Sequence, residues 1–318
     1  MQYAVGVDIG GTNIRVALGD EDGIQQKVQE RTVKTGGSYA VSQQIIRMIK
    51  QNFQDVIYKG KVKGIGIGSI GPLNLKEGAI VNTPNLPFKY IPLIKPIYEA
   101  FKIPVKLYND CVAAVIGEKT FGEAKNVDNV VYVTLSTGIG AGVYVDGHLL
   151  LGKDGNAHEV GHMVIDYQGR LTCGCGKKGH WEAYCSGRNI PNLVKLVVKE
   201  GIVEVKGSIL YEKINNGVLT SKDVFEAAKQ GDIAAVKIVD YIGYLNAIGF
   251  ANINNIYDPE LITIGGSVAL NNEELVLTPI LNYIKEYSIN RIPKIMITPL
   301  KEDIVLYGAI AAVLNPPL

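Results

Sequence analysis

Apolar and polar positions alternate across residues 3–18, where YAVGVD and IRVAL read as two strands joined by the glycine turn IGGTN. A third strand near Gln26–Val33 completes a meander. The period then changes: over residues 40–53, Val41, Ile45, Met48, Ile49 and Phe53 fall on one helical face. KVKGIGIGS reads as a buried strand, and the prolines and asparagines of GPLNLKEGAIVNTPNLP argue for irregular structure through residue 87. A short helix, the strand IPVKLYND and the helix CVAAVIGEKTFG follow.

At Asn129 the order begins again, with VVYVTL, the glycine turn STGIGAG, then GVYVD and HLLLG. This repetition predicts two lobes built on one plan. Residues 188–255 are mostly helical, including a stripe of Ala235, Ile238, Ile242, Leu245 and Ile248. YDPELITIGGS returns to a strand ending in a double glycine, and two helices with a short strand between them finish the chain. Strands alternating with helices in both halves predict an α/β protein with two mixed sheets and a cleft between them.

A chain of 318 residues is long enough for about two domains. Lys and Arg number 32 against 31 Asp and Glu, so no nucleic-acid footprint or acidic tail is visible in the total charge. No signal peptide is expected ahead of the first strand, and Ile304–Leu314 is too short to span a bilayer and reads as a buried helix. With only four cysteines, two of them isolated (Cys111 and Cys185), a secreted disulfide framework is not expected; the expected location is cytoplasmic, without membrane or nucleic-acid partners.

Several short segments carry candidate chemistry. In 8-DIGGTNIR-15, Gly10 and Gly11 let backbone N–H groups approach an anion, Thr12 and Asn13 add donors, and Asp8 at the strand end is placed to hold a metal through water. A plain Gly-Gly hairpin is the competing reading. The second glycine turn, with Thr137 and Gly138, occupies the equivalent place in the second half, and two such turns would grip a phosphate chain. GIGSIG at 66–71 matches G-x-G-x-x-G but runs into Pro72 rather than a helix, and GHLLLGKD at 147–154 lacks the Ser or Thr of a P-loop. Asn109 and Asp110 stand where a strand meets a helix: either residue suits an N-cap, and Asp110 also suits a base that accepts a hydroxyl proton during phosphoryl transfer.

The letters HEVGH at 158–162 match a zincin motif, but Gly161 and the following β-branched residues argue against the helix that motif requires. The stretch 171-LTCGCGKKGHWEAY-184 changes their value. His162, Cys173, Cys175 and His180 supply four zinc-type ligands within nineteen residues, separated by glycines that permit tight turns. A Cys173–Cys175 disulfide would close a strained small ring.

Taken in order, DIGGTNIR, NTPNLP, YND, STGIGAGVYVDGHLLLGKDGNAHEVGH, CGCGKKGHWEAY and DPELITIGGS resemble the ROK family of sugar kinases and regulators over essentially the whole chain. The resemblance implies two actin-like, ribonuclease H-like α/β domains flanking a substrate cleft: residues 1–110 with a returning C-terminal helix 304–318, and residues 111–303 with a zinc-binding loop. It implies Asp110 as catalytic base and Gly71, Asn85, Asn109, Glu159, His162 and Glu182 as further sugar contacts. It also implies Asp8, Gly10, Gly11, Thr12, Thr137 and Gly138 as phosphate grips, Gly265 and Gly266 beside the adenosine, ATP with Mg²⁺, and a structural Zn²⁺ on His162, Cys173 and Cys175. The family usually places a third cysteine where this chain has His180; imidazole is an acceptable ligand there, of longer reach and neutral charge, and Cys185 is the less suitable substitute.

The expected activity is ATP-dependent phosphorylation of the 6-hydroxyl of glucose and related hexoses. The alternative within enzymes is a kinase for N-acetylglucosamine or N-acetylmannosamine. A sugar-responsive regulator is the remote alternative, disfavoured because the chain starts at the first strand of the kinase fold. A dimer or tetramer is expected, although no single stripe identifies its interface.

Overall fold

The computed structural model describes residues 2–317; Met1 and Leu318, the outer ends of the expected 1–110 and 304–318 segments, lie outside them. By contacts the chain separates into two units: residues 1–128, 142–157 and 298–318, and residues 129–141 and 158–297.

In the first unit, β1 (Tyr3–Ile9), β2 (Asn13–Asp20) and β3 (Gly23–Arg31) form the meander, in antiparallel register with Asp8 opposite Arg15. Helix α1 (Ala40–Tyr58) follows, and all five residues of its expected apolar face are buried. Strand β4 (Val62–Ser69) pairs parallel with β1, and β8 (Val105–Asn109) pairs parallel with β4. The sheet order is therefore β3-β2-β1-β4-β8.

Residues 71–87, expected to be irregular, instead contribute to a small antiparallel sheet of β5 (Leu73–Asn74), β6 (Ala79–Val81) and β7 (Tyr90–Pro92). Its strands are so short that the turn residues between them outnumber the alternating ones, which hides the strand period. Helix α2 (Ile94–Phe101) leads to β8, and α3 (Asp110–Thr120) starts directly at its end. Because α3 lies in the first unit, the contact division falls at residue 128 rather than at the expected 110.

The second sheet repeats the plan of the first. Its strands are β9 (Val130–Leu135), β10 (Ile139–Val145), β11 (His148–Leu149), β12 (Leu261–Gly265) and β13 (Lys294–Ile297), in the order β11-β10-β9-β12-β13. Here β9, β12 and β13 run parallel, and β10 and β11 antiparallel. The glycine turn is shorter than the sequence suggests, since Ile139–Gly142 already belongs to β10. Gly142 is in the strand because a Cβ there would come within 2.2 Å of the Cys111 carbonyl oxygen.

Helices α4 (Glu182–Cys185), α5 (Ile190–Lys199), α6 (Tyr211–Asn215), α7 (Ser221–Lys229) and α8 (Ile233–Tyr257) precede β12, and α9 (Ser267–Leu270) and α10 (Glu273–Tyr283) follow it. Of the expected α8 stripe, Ala235, Ile238, Ile242 and Leu245 are buried and Ile248 is half-buried. Helix α8 is long and apolar enough to cross a membrane, but 61% of that window is buried within the protein, as befits a core helix.

The last helix, α11 (Ile304–Leu314), is apolar on almost every side and returns to the first unit, where it packs on α3, β1, β2 and β4. Glycines make this approach possible. A Cβ on Gly66 of β4 would sit 1.9 Å from the Ala309 carbonyl oxygen, and one on Gly308 would sit 1.6 Å from that of Ala113. Both neighbours are backbone, which cannot rotate away. Gly308→Ala is expected to destabilise the protein by about 3 kcal/mol or more, the upper end of overpacking costs, seen as a lowered urea midpoint.

Candidate active site

In the first unit, the expected site residues gather at the carboxyl ends of three adjacent parallel strands. The register pairs Ile9 with Ser69 and Ser69 with Asn109, so the turn after β1, the turn after β4 and the start of α3 lie side by side. This is where open α/β sheets place ligands, because strand and helix diverge there and leave backbone groups exposed. Between β1 and β2, the Gly10 N–H donates to the Asn13 carbonyl oxygen at 2.9 Å. The Thr32 hydroxyl donates to the Gly10 carbonyl oxygen at 2.7 Å, and the Thr32 N–H to that of Thr12 at 2.9 Å. The turn is thus tied down from below, and Thr12 remains exposed at its tip. Asn85 lies against this turn, since a Cβ on Gly11 would come within 3.0 Å of the Asn85 Cβ.

Asn109 is the N-cap of α3, and its side-chain oxygen accepts from the Cys111 N–H at 2.9 Å. Asp110 Oδ1 accepts from the same N–H, also at 2.9 Å. Capping and the placement of a half-buried carboxylate therefore coincide rather than compete. The Asn109 amide also reaches Gly71, with Nδ2 3.8 Å from where a Cβ would stand.

Asp8 is buried, and its partner is Arg15, directly opposite it in the hairpin. Arg15 Nε donates to Asp8 Oδ2 at 2.9 Å, and a second guanidinium nitrogen reaches the same oxygen. Arg15 also contacts Asp303 at 3.2 Å, and Asp303 in turn accepts from Lys27. Burial raises the Asp8 pKa above its ordinary value, and Arg15 partly offsets the shift. The cross-strand position of Arg15 was readable from the hairpin register, but the eye follows the turn rather than the strand behind it.

The second unit carries the remaining candidates. Thr137 is exposed between β9 and β10, and Gly265 pairs with Thr134 at the end of the neighbouring parallel strand. The segments assigned to phosphate and to adenosine are thereby adjacent, with Ser136 Oγ and Ser267 Oγ 3.2 Å apart. Gly266 has φ +86°, and a Cβ there would come within 2.5 Å of the Leu135 carbonyl oxygen.

Residues 160–162 form a single 3-10 turn rather than a helix, and Gly161 lies where a Cβ would come within 2.1 Å of the Ile139 carbonyl oxygen. Across that turn, exposed Glu159 faces His162, with Oε2 3.5 Å from Nε2. The other ring nitrogen of His162 is 3.8 Å from Cys173 Sγ, and His180 Nδ1 is 3.3 Å from Cys175 Sγ. All four ligand atoms lie within 4.8 Å of one another, and no cysteine is disulfide-bonded. Tetrahedral zinc with two sulfur and two nitrogen ligands needs such atoms about 3.6 Å apart, so the set fits the ion. Burial pushes the Cys173 thiol up to about 12 and lowers the pKa of His180, whose ring also faces His162. A divalent cation at the centre would reverse the first effect by displacing the thiol proton.

The cluster is anchored from behind. Trp181, fully buried, donates from its indole N–H to Asn246 Oδ1 at 2.8 Å and packs edge-on against Phe250 of α8. Asp166 accepts from Arg170 at 3.0 Å and from the Tyr184 hydroxyl at 2.5 Å, closing the loop that carries both cysteines. Glu182 makes a contact that the sequence did not suggest: its Oε2 accepts from the Ile139 N–H at 2.9 Å.

Two mixed sheets of repeated order, each with a glycine turn at the end of its first parallel strand, define an α/β protein of the two-domain actin-like class. The chain belongs to the ROK family, whose family model matches residues 4–313. It is 38% identical over 317 residues to a glucokinase of Pyrobaculum calidifontis, covering 100% of this chain and 97% of that protein. A ROK family glucokinase from Streptomyces griseus, solved with glucose and AMPPNP, superposes with a TM-score of 0.75 at 30% identity, covering 97% of this chain and 98% of that one. A xylose repressor of Caldicellulosiruptor bescii is 29% identical over 325 residues, covering 99% of this chain and 78% of the repressor.

Replacing Arg15 by Met would leave the Asp8 charge buried without its counterion. At pH 7 the substitution is expected to cost on the order of 2–3 kcal/mol in urea unfolding. Because the Asp8 pKa is already raised and would rise further, the deficit should shrink as pH falls and the carboxylate is protonated.

Proposed function

We propose that the protein is an ATP-dependent hexokinase that transfers the γ-phosphoryl group of ATP to the 6-hydroxyl of glucose and related hexoses. The observation that carries the reading is Asp110: a half-buried carboxylate held at the first position of a helix, beside Asn109 and Gly71, in a chain that is glucokinase-like over its full length. The positive end of α3 favours the ionised form of Asp110, so it can take the proton of the attacking sugar hydroxyl. Asn85, Asn109, Gly71, Glu159, His162 and Glu182 orient the sugar, carboxylates accepting from its hydroxyls.

Backbone N–H groups of the turns at Gly10–Asn13 and Thr137–Gly138 stabilise charge developing on the phosphates, and Gly265 and Gly266 admit the adenosine. Asp8 would hold, through water, the Mg²⁺ that accompanies ATP, and that ion would neutralise phosphate charge. His162, Cys173, Cys175 and His180 would hold a structural Zn²⁺ that fixes the loop between Asp166 and Trp181. The protein works in the cytoplasm as a homo-oligomer, dimer or tetramer.

Coupled ADP release with glucose, N-acetylglucosamine and N-acetylmannosamine tests the reading. Glucose is expected to be the preferred acceptor; preference for an N-acetylated sugar would reassign the substrate. Asp110→Asn is expected to lower kcat by about 10²- to 10⁴-fold, and comparable activity in the two proteins would end the assignment. The repressor similarity supports a second reading as a sugar-responsive regulator, which requires sequence-specific DNA binding at moderate salt and no ADP release.

Metal analysis of the purified protein is expected to find one zinc per chain. His180→Ala should lower that content, and zinc should also be lost as pH falls, because protons compete for both imidazoles and both thiolates.

A further inference from the structure

Strand β3 ends at Arg31, but its alternating backbone bonds run on past that residue. The Thr32 N–H turns one way, to the Thr12 carbonyl oxygen, while the Arg31 carbonyl and the Val33 N–H on either side of it turn to α1. There a single side chain meets both: Gln44 Oε1 accepts from the Val33 N–H at 2.9 Å, and Gln44 Nε2 donates to the Arg31 carbonyl oxygen at 2.8 Å. A primary amide carries one acceptor and one donor, so it matches this pair as a further strand would, and reversing it would set donor against donor. Gln44 Nε2 also donates to Glu30 Oε2 at 3.1 Å, and Glu30 accepts from Arg47, the next residue along that face of α1, at 2.9 Å. Gln44 and Thr32 are only 8% and 5% exposed, which leaves little water to replace these bonds.

The other side of Thr32 faces the turn at Gly10–Asn13. Its hydroxyl donates to the Gly10 carbonyl oxygen at 2.7 Å, and its N–H to that of Thr12 at 2.9 Å. In a planar trans peptide the carbonyl of one residue and the N–H of the next point in opposite directions. Holding the Gly10 and Thr12 carbonyls therefore aims the Gly11 and Asn13 N–H groups away from Thr32. The Gly10–Gly11 peptide has no Cβ on either side to restrict it, so it is the one in this turn most free to flip. Once flipped, it would present a carbonyl oxygen where an anion needs a donor.

We infer that Thr32 and Gln44 are positioning residues for the phosphate turn: Gln44 holds Thr32 in place from α1, and Thr32 keeps the Gly10–Gly11 peptide in the orientation that offers its N–H to phosphate. The inference rests on the reading of Gly10–Asn13 as a phosphate grip and adds what keeps that grip set. Neither side chain needs to touch the nucleotide. Their effect is on donors already aimed before the ligand arrives, which is what makes such donors effective against phosphate charge.

Binding of AMPPNP and of adenosine to the full chain, measured by calorimetry without sugar, separates this role from a general weakening of the fold. Thr32→Val keeps the shape and the backbone N–H and deletes only the hydroxyl. It is expected to weaken AMPPNP binding by about tenfold, the effect of losing one hydrogen bond to a charged group, and to leave binding of adenosine, which has no phosphate, unchanged. Thr32→Ser returns the hydroxyl and should restore AMPPNP binding. Gln44→Met should weaken AMPPNP binding with the same selectivity, because Arg31 and Val33 lose their common partner. Should Gln44→Met fail to fold by circular dichroism, Gln44→Glu takes its place, keeping the acceptor for Val33 and removing the donor for Arg31.

AMPPNP binding equal to wild type in either the Thr32→Val or the Gln44 variant would overturn the inference. So would losses that fall equally on AMPPNP and adenosine, or a Thr32→Ser protein as weak as Thr32→Val. In each of these cases ADP release by the wild type with glucose leaves the kinase reading standing. Wild-type protein that binds no AMPPNP and releases no ADP would remove both.

Discussion

The structure of the first unit depends on the close approach of backbones around α11. At Gly66 and Gly308 the helix meets β4 and α3 with no side chain between, and Gly117 of α3 stands equally close to Ile304 and Gly308. These contacts set the height of α3 above the sheet, and α3 begins with Asp110. Since β8 ends at Asn109 in register with β4, the helix start is fixed from both sides, by the sheet through the strand and by α11 through the helix. A carboxylate proposed as a catalytic base needs its place held within fractions of an ångström, and backbone-on-backbone packing has no rotamers to relax.

The second unit reaches the same end by different means. Its glycine turn is held by polar contacts from the ends of α4, with the His/Cys loop and buried Trp181 as backing. Packing supplies rigidity in one unit and a hydrogen-bonded strut supplies it in the other. Polar struts are more responsive to chemical change than packed backbone, because each bond depends on the protonation or ligation of its partners.

Much of this was legible in the sequence because it rests on local patterns. The two strand-turn-strand repeats, the buried face of α1 and the glycine turns all appear as periodicity or punctuation within a dozen residues. The His/Cys cluster was legible because its four ligands fall in one short stretch, and the structure brings them within 4.8 Å. What escaped notice depends on partners distant in the chain. Gly142 looks like part of a turn until Cys111 is seen against it, and Gly308 looks like an ordinary helix residue until Ala113 is. Glu182 reads as a sugar ligand, and only the fold reveals Ile139 at its other side. The small β5–β7 sheet was missed for the opposite reason, because strands of two or three residues are too short to carry a period.

The return of α11 also has a consequence for how the chain acquires its shape. Residues 4–18 and 62–69 present an apolar sheet face that residues 304–314 cover. During synthesis that face therefore waits for nearly the entire chain to be made, and the first unit is completed after the second. Such a long loop closure makes the last step of folding slow, and leaves the nascent N-terminal sheet the segment most in need of protection from aggregation.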